Sequence, residues 1–204
     1  MELYCFKHCD NNKKIFSAME NFSKNDLCPI CQKKIDTCII PPFKMKFLND
    51  TNRHSCGIAI KHSHDFESYS LSSLVHCGII VNAQVLDFSH LGVSCNKWNN
   101  CLIIDLRYLN NRFLKSIDET KWFDRCYMNL QSEIWDPLSF EINVNDCMTF
   151  VGSFINFIYE VKLSRKELAY IFKPHLMKAY NFRILRENVI KNKFIVDPIR
   201  IADL

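Results

Sequence analysis

The chain has 204 residues, of which 48% are hydrophobic and 24% are charged, and its formal net charge is +4. This is the composition of a globular protein with one medium domain and a small appendage, or with two small domains. The sequence lacks a P-loop, a GxGxxG loop and an apolar run of about 18 residues that would predict a membrane span, and its weak positive charge does not by itself indicate nucleic-acid binding.

The number and placement of the cysteines predict reduced thiols. There are 11 cysteines, an odd number with irregular spacing, which argues against a disulfide scaffold. The first residues, from Met1 to Cys5, lack the basic region and the long apolar core of a signal peptide. We therefore expect a protein of the cytoplasm or the nucleus, where thiols stay reduced.

Residues 1–60 are predicted to form a segment that binds structural zinc. Zinc takes four ligands in a tetrahedron, and a CPxC turn such as Cys28-Pro29-Ile30-Cys31 supplies two thiolates from one tight loop. The predicted ligands are Cys9, Cys28, Cys31 and Cys56, with His8 or His54 as substitutes. The alternative is that Cys28 and Cys31 are simple reduced thiols in a turn.

Residues 61–204 are predicted to form an α+β domain that begins with a small antiparallel sheet. Residues 62–73 are rich in serine and are predicted to form a loop or an edge segment. Residues 75–81 and 84–88 predict a hairpin with its turn at Asn82-Ala83, because asparagine tolerates left-handed backbone angles. Residues 101–106 predict a third strand.

A helix and a short strand are predicted next. Ser116 and Glu119 form a capping box, which opens a helix that is predicted to end near Leu130. Residues 139–144 alternate between polar and apolar side chains, and this alternation predicts a short strand.

The remainder of the domain is predicted to be helical. Asn145 and Asp146 are good N-cap residues for a buried central helix. Its apolar stripe at helical spacing is Cys147, Phe150, Val151, Phe154, Ile155 and Ile158, widened by Phe157. Ser164 and Glu167 form another capping box, and a last helix is predicted to begin at Pro174 and to run to residue 192.

Cys147 and His76 are predicted to form a catalytic pair. Cys147 lies in the first turn of the central helix, where unpaired N–H groups and the helix dipole favour a thiolate. A histidine within hydrogen-bond reach completes a nucleophilic pair, and His76 lies near the start of the first predicted strand of the hairpin. The alternative is that Cys147 is packed core and His76 is a structural histidine.

A third residue is needed to orient the ring of His76. In a hairpin with a two-residue turn, Ser89 lies opposite His76, with Asp87 on the same face. A loop longer by one residue brings His90 to that place instead.

The order of these residues resembles that of the circularly permuted papain-like hydrolases, in which the histidine strand precedes the cysteine helix. The PPPDE desumoylating isopeptidases and the lecithin-retinol acyltransferase-like enzymes show it, and the similar segments here are residues 76–81, 87–93 and 145–150. The resemblance implies a small antiparallel sheet packed on a central helix, with Cys147 as the nucleophile and His76 as the base. Some related hydrolases use a second histidine to orient the first, and His90 matches the family text, so the resemblance ranks His90 first as the orienting residue and Ser89 or Asp87 second.

The sequence departs from those hydrolases at two places. Asp146 stands where they have asparagine beside the cysteine, and a carboxylate there opposes thiolate formation. Their glycine-rich tip is reduced to Gly92.

Most of the chain resembles the makorin-2 opposite-strand protein family. The resemblance implies a shared architecture and is carried by residues 6–9, 28–31, 76–81, 90–93, 145–147, 154–156 and 183–193.

These observations predict a thiol hydrolase that acts on a ubiquitin-like conjugate, another peptide bond or an acyl ester. The first alternative is a catalytically inactive, zinc-containing module that binds a protein partner. The second alternative is a nucleic-acid-binding zinc protein that uses the basic residues from Arg183 to Arg200. A solvated helix face explains those basic residues more simply, because Leu176, Tyr180 and Ile184 form an apolar stripe opposite them, and a nucleic-acid partner is not expected.

Overall fold

The chain divides into two compact units in the computed structural model, which describes residues 2–7, 14–19, 27–35, 48–62, 66, 70, 74–130 and 133–196. The first unit combines Met1–Lys46 with Lys178–Leu204, and the second is Phe47–Met177. The domain boundary predicted after residue 60 falls inside a strand of the second unit, Cys56–His62. The two ends of the chain belong to one unit, which the sequence patterns did not indicate.

The first unit contains an antiparallel sheet of three described strands. These are β1 (Glu2–Lys7), β2 (Lys14–Met19) and β9 (Phe194–Val196), in the order β1-β2-β9. Phe6 and Ile15 of the sheet pack with Cys28 and Ile35 in a small buried core. Each large apolar side chain buried there contributes about 1.5–3 kcal/mol, so this core holds the CPxC turn against the sheet.

The second unit contains an antiparallel sheet with six strands among the described residues, in the order β3-β8-β4-β5-β6-β7. The strands are β3 (Leu48–Asn49), β4 (Cys56–His62), β5 (Val75–Val81), β6 (Gln84–Ser89), β7 (Gly92–Asn96) and β8 (Cys101–Asp105). β5 lies between β4 and β6, and it carries the predicted His76. Side chains of β5 therefore lie near the middle of the sheet.

The structure confirms the predicted hairpin. β5 and β6 pair antiparallel, with Val81 opposite Gln84, and Asn82 and Ala83 form the two-residue turn. Both turn residues have positive φ angles, 48° and 67°. A two-residue turn of this kind matches the right-handed twist of the flanking strands.

Four α-helices lie in the described part of the chain. They are α1 (Leu106–Phe113), α2 (Glu119–Leu130), α3 (Cys147–Tyr159) and α4 (Arg165–Asn192). α2 confirms the helix that was predicted to end near Leu130, and α3 confirms the buried central helix. The capping box predicted for α2 is wrong, because Asp118 accepts from the N–H of Lys121 and Glu119 accepts from the hydroxyl of Ser55. None of the described helices is long and apolar enough to cross a membrane.

α3 packs against β5 and β6, and α2 packs against α3. Phe150 and Phe154 of α3 are fully buried, and the ring of Phe154 meets Trp122 of α2 edge-on at 4.8 Å. The indole Nε1 of Trp122 donates to the carbonyl oxygen of Ile80 at 2.8 Å, which ties α2 to β5. Phe157 does not join this core, because 42% of its surface is exposed and Arg125 lies over its ring.

The strand predicted over residues 139–144 is wrong. The chain forms a 3-10 turn at Pro137–Ser139 and further turns up to an isolated bridge between Glu141 and Asn145. The Nδ2 group of Asn145 donates to the backbone oxygen and to the hydroxyl of Ser139, which closes the loop on itself. The alternating pattern here belongs to an exposed loop that has no partner strand among the described residues.

The predicted start of the last helix at Pro174 is also wrong, because α4 begins nine residues earlier, at Arg165. The capping box predicted there is present: Glu167 Oε2 accepts from both the N–H and the hydroxyl of Ser164, at 2.7 Å each. Pro174 lies inside the helix. The start of α4 is therefore marked in the sequence by the capping box and not by the proline.

Candidate active site

Cys147 is the first residue of α3, and Asp146 caps that helix. The Asp146 carboxylate accepts hydrogen bonds from the N–H groups of Met148 at 3.0 Å and Thr149 at 3.2 Å. These bonds fix the first turn of the helix. Cys147 itself is buried, with 8% of its surface exposed.

The thiol of Cys147 meets β5 at two consecutive residues. It interacts with the thiol of Cys77, with the ring of His76 and with the backbone N–H of Cys77 through hydrogen bonds. The hydrogen bond from the Cys77 thiol, followed by those from the His76 ring and the Cys77 N–H, outweighs burial and lowers the pKa of Cys147 to about 5. The direction of this shift favours the thiolate over the thiol at neutral pH.

His76 is oriented by Asp87 on the neighbouring strand. Its Nε2 lies 2.7 Å from Oδ2 of Asp87, which leaves Nδ1 as the ring nitrogen for Cys147. Burial lowers the pKa of His76, but the hydrogen bonds to Asp87 and Cys147 outweigh it and raise the pKa to about 9. The ring also stacks, tilted, on Trp98 with 5.4 Å between centroids. The two shifts thus favour a thiolate on Cys147 beside an imidazolium on His76.

Asp87 is itself held in place by β7. Its second oxygen, Oδ1, accepts from the hydroxyl of Ser94 at 2.7 Å, and that hydroxyl accepts from Nδ2 of Asn96 at 2.9 Å. Asp87 is only 6% exposed, whereas the His76 side chain is 34% exposed. A buried carboxylate therefore fixes a ring that reaches the surface, which is the geometry of an oriented general base.

Arg165 offsets the negative charge of Asp146, which would otherwise oppose a thiolate on Cys147. Its guanidinium pairs with both carboxylate oxygens of Asp146, at 2.7 and 2.8 Å. Burial raises the pKa of Asp146, but the hydrogen bond from Arg165 and those from Asn143 and Thr149 outweigh it and hold the pKa below its usual value. The cation offsets the carboxylate beside Cys147, so an aspartate at this position is compatible with a thiolate.

Gly78 makes room for this arrangement, and the sequence analysis missed it. A Cβ atom there would lie 2.4 Å from Cγ1 of Val85, 2.6 Å from the carbonyl oxygen of Leu86 and 3.1 Å from Cβ of Asp87. Any side chain would push β6 away from β5 and move Asp87. Glycine is thus required here by close approach between strands.

The structure brings Cys147 and His76 together, and it places His90 elsewhere. His90 is exposed at the turn between β6 and β7, with its ring 6.3 Å from that of Phe140. Ser89 accepts from the N–H of Leu91 at 3.2 Å. Asp87, and not the first-ranked His90, is hydrogen-bonded to the ring of His76, because the hairpin turn has two residues and not three.

Cys77, Ser94 and Arg165 were also missed as parts of the site. One signal for Ser94 was available: a turn at His90-Leu91 pairs Asp87 with Ser94, and the structure has this register. Arg165 lies 19 residues beyond Asp146 in the chain, and no local pattern links the two.

The four predicted zinc ligands do not all lie within the described residues. Cys9 and the substitute His8 lie outside them. Cys28 is buried and Cys31 is half-buried in the CPxC turn of the first unit, whereas Cys56 lies on β4 of the second unit. Burial and the nearby Glu119 raise the pKa of Cys56 to about 11. Among the described residues, no group of three or more potential metal ligands is present; the zinc site stays a prediction.

Comparison with known proteins places this site within a family. Residues 42–189 match the model described as DUF4796 C-terminal, and this span includes His76, Asp87, Cys147 and Arg165. Neither a curated protein nor a solved structure matches the chain. The candidate active site lies within the matched residues. Because the match covers more than half of the sequence, the chain belongs to the DUF4796 family.

Proposed function

We propose that the protein is a thiol hydrolase or acyltransferase in which Cys147 is the nucleophile. The observation that carries the proposal is the hydrogen-bonded series Cys147–His76–Asp87, with the pKa of Cys147 lowered to about 5 and that of His76 raised to about 9. A thiolate beside an oriented imidazolium has both a nucleophile and a proton donor for the leaving group.

The proposed reaction has two stages. The thiolate of Cys147 attacks the carbonyl carbon of an ester or amide, and the N–H of Cys147, at the helix N-terminus, stabilises the oxyanion that forms. The His76 imidazolium gives its proton to the departing alcohol or amine, which leaves a thioester on Cys147. Neutral His76 then takes a proton from water or from an acceptor alcohol or amine, whose oxygen or nitrogen breaks the thioester and restores the thiolate.

The order of the elements supports the same proposal. The histidine strand β5 precedes the cysteine helix α3, as in the permuted papain-like hydrolases that the sequence resembles. We propose the same substrate classes as for those hydrolases: a ubiquitin-like conjugate, another peptide bond or an acyl ester. The expected partner is a protein, and the expected compartment is the cytoplasm or the nucleus.

Acylation of Cys147 by an activated ester tests the proposal. We expect p-nitrophenyl acetate to give a burst of nitrophenol and an acetyl group on Cys147, located by peptide mass spectrometry. Cys147→Ser and His76→Ala should lose the burst. Cys95→Ser is the matched control, because Cys95 is an exposed thiol on β7 outside the site. Acetylation spread evenly over several cysteines would contradict the proposal, and peptide and isopeptide substrates follow if it holds.

The second candidate is a protein-interaction module without activity, and the low exposure of Cys147 favours it. Because only 8% of the Cys147 surface is exposed, the residue offers a large substrate little surface. The two candidates differ in one result: a module keeps the ion pair but forms no acyl-enzyme with any ester, peptide or isopeptide tested.

Structural zinc remains part of the proposal through Cys28 and Cys31. These residues would supply two thiolates from the turn in which the N–H of Gln32 donates to the carbonyl oxygen of Cys28 at 2.9 Å. Zinc analysis of the purified chain, with Cys28→Ser against Cys95→Ser, tests this. Equal zinc content in both variants would oppose the assignment.

A further inference from the structure

We infer that Cys77 and Cys147 form a peroxide-reducing thiol pair, in which Cys147 is oxidised by hydrogen peroxide and Cys77 closes a reversible disulfide with it. This inference concerns an activity other than acyl transfer. It needs only the contact between the two sulfur atoms and the ion pair with His76, and it stands even if the chain hydrolyses nothing.

The geometry brings one specific second thiol to Cys147. The Cys77 thiol is hydrogen-bonded to the sulfur of Cys147, and Cys77 is fully buried at 0% exposure. The N–H of Cys77 is also hydrogen-bonded to that sulfur. Because α3 packs directly on β5, the contact joins two elements of one packed unit. A disulfide needs its sulfur atoms brought together from suitably oriented backbones, and packing provides the approach here.

The first step is the oxidation of Cys147. Its thiolate attacks one oxygen of hydrogen peroxide, the O–O bond breaks, and a sulfenic acid forms on Cys147. The departing hydroxide takes the proton of the His76 imidazolium and leaves as water. Cys147 is 8% exposed and Cys77 is 0% exposed, so a small oxidant such as hydrogen peroxide meets Cys147 before Cys77.

The second step is the attack of Cys77 on the sulfenic acid. The pKa of Cys77 is raised well above its usual value, first by its hydrogen bond to Cys147 and also by burial and by the thiolate charge. Oxidation of Cys147 removes that charge, which makes Cys77 more acidic. Its sulfur then bonds to that of Cys147, the S–O bond breaks, and the hydroxyl leaves as water with the proton that Cys77 releases.

A dithiol completes the cycle. It reduces the disulfide by thiol–disulfide exchange and is itself oxidised to a cyclic disulfide, so one peroxide and one dithiol are consumed in each turn. While the disulfide is present, Cys147 is not a nucleophile for any carbonyl. The same bond keeps Cys147 from further oxidation to the irreversible sulfinic acid.

Peptide mass spectrometry of the full chain after treatment with hydrogen peroxide tests the inference. We expect a cross-link between the peptides of Cys77 and Cys147 that disappears with dithiothreitol. In Cys77→Ser we expect a sulfenic acid on Cys147, trapped by dimedone, and then sulfinic acid that accumulates at least about tenfold faster than in the wild type. Cys126→Ser is the matched control, because Cys126 is also buried and its thiol pKa is also raised; it should behave as the wild type.

The opposite results would overturn the inference. These are a disulfide that joins Cys147 to another cysteine, or sulfinic acid that accumulates equally fast in the wild type and in Cys77→Ser. If Cys77→Ser fails to fold, the wild type alone decides: only transient dimedone labelling of Cys147 before the cross-link supports the inference, and stable labelling opposes it.

Discussion

Replacing His76 with alanine should raise the pKa of Cys147, and the size of the change can be worked from the site. The thiol of Cys77 makes the largest contribution to the low pKa, and the imidazolium lowers it further through a hydrogen bond and through its charge. A nearby opposite charge shifts a pKa by about 1–3 units. We therefore expect the midpoint to rise from about 5 by roughly 2 units.

A single alkylation rate would hide this change. At pH 6 a rise of about 2 units lowers the thiolate fraction roughly tenfold, but a thiolate of higher pKa is more nucleophilic, by about eightfold at a Brønsted slope near 0.45. The two effects nearly cancel. The assay must therefore follow the ultraviolet absorbance of the thiolate across the pH range. The absorbance of the same protein with the added Cys147→Ser substitution is subtracted, so that only Cys147 contributes to the signal.

His90→Ala is the matched control for this titration. It removes a histidine of the same unit that is exposed at the β6–β7 turn, and it should leave the midpoint unchanged. A midpoint that does not move in His76→Ala, or that moves as far in His90→Ala, would refute the assignment of His76 as the partner of the thiolate.

Three further predictions address the surroundings of the thiolate. Arg165→Gln should raise the pKa of Cys147, because Asp146 then keeps an unneutralised charge, and should lower the free energy of unfolding by roughly 2 kcal/mol. The ultraviolet titration measures the first effect and urea unfolding measures the second. An unchanged titration midpoint would show that the Arg165–Asp146 pair has no electrostatic effect on Cys147. Gly78→Ala should destabilise the chain by about 1–3 kcal/mol because the new side chain displaces β6. Gly152→Ala should be neutral or stabilising, because its new Cβ would lie 3.4 Å from Cδ2 of Leu168. Equal unfolding midpoints in the two variants would contradict this. The rate of ester turnover should be bell-shaped in pH, rising as the thiol of Cys147 loses its proton near pH 5 and falling as the imidazolium of His76 loses its proton near pH 9. A rate that keeps rising above pH 9 would exclude the imidazolium as the acid.

Local sequence signals predicted most of the second unit. Asn82-Ala83, the N-cap Asp146 and the capping box of Ser164 with Glu167 each act through bonds within a few residues, and the structure has all of them. The errors arose where local pattern and tertiary context differ. Residues 139–144 alternate like a strand but find no partner strand among the described residues, and Pro174 resembles a helix start although α4 already has one.

The site was predictable only as far as its residues are local. A cysteine after an N-cap and a histidine near the start of a strand are visible in the sequence, so Cys147 and His76 were identified. The choice between Asp87 and His90 depended on one residue of loop length, because a shift of one residue turns a side chain to the other face of the sheet. Arg165 and Cys77 act through tertiary contacts that one sequence does not reveal.

One feature of β5 explains how a single sulfur meets two consecutive residues of the same strand. Successive side chains of a strand point to opposite faces, so His76 and Cys77 both reach Cys147 only if its sulfur lies beside the strand and not above one face. The pairing of β5 with β6 ends at Ile79 opposite Leu86. Ladder hydrogen bonds recur at every second residue, so the N–H of Cys77 points to the same side as that of Ile79.

The pairing with β6 therefore leaves the N–H of Cys77 outside the β5–β6 ladder. This N–H, the thiol of Cys77 and the ring of His76 all lower the pKa of Cys147. Each donor stabilises a thiolate more than a thiol, so the low pKa of Cys147 follows from a break in the sheet as much as from the helix N-terminus. Extending the β5–β6 pairing past Ile79 would use the N–H of Cys77 in the ladder and withdraw it from Cys147.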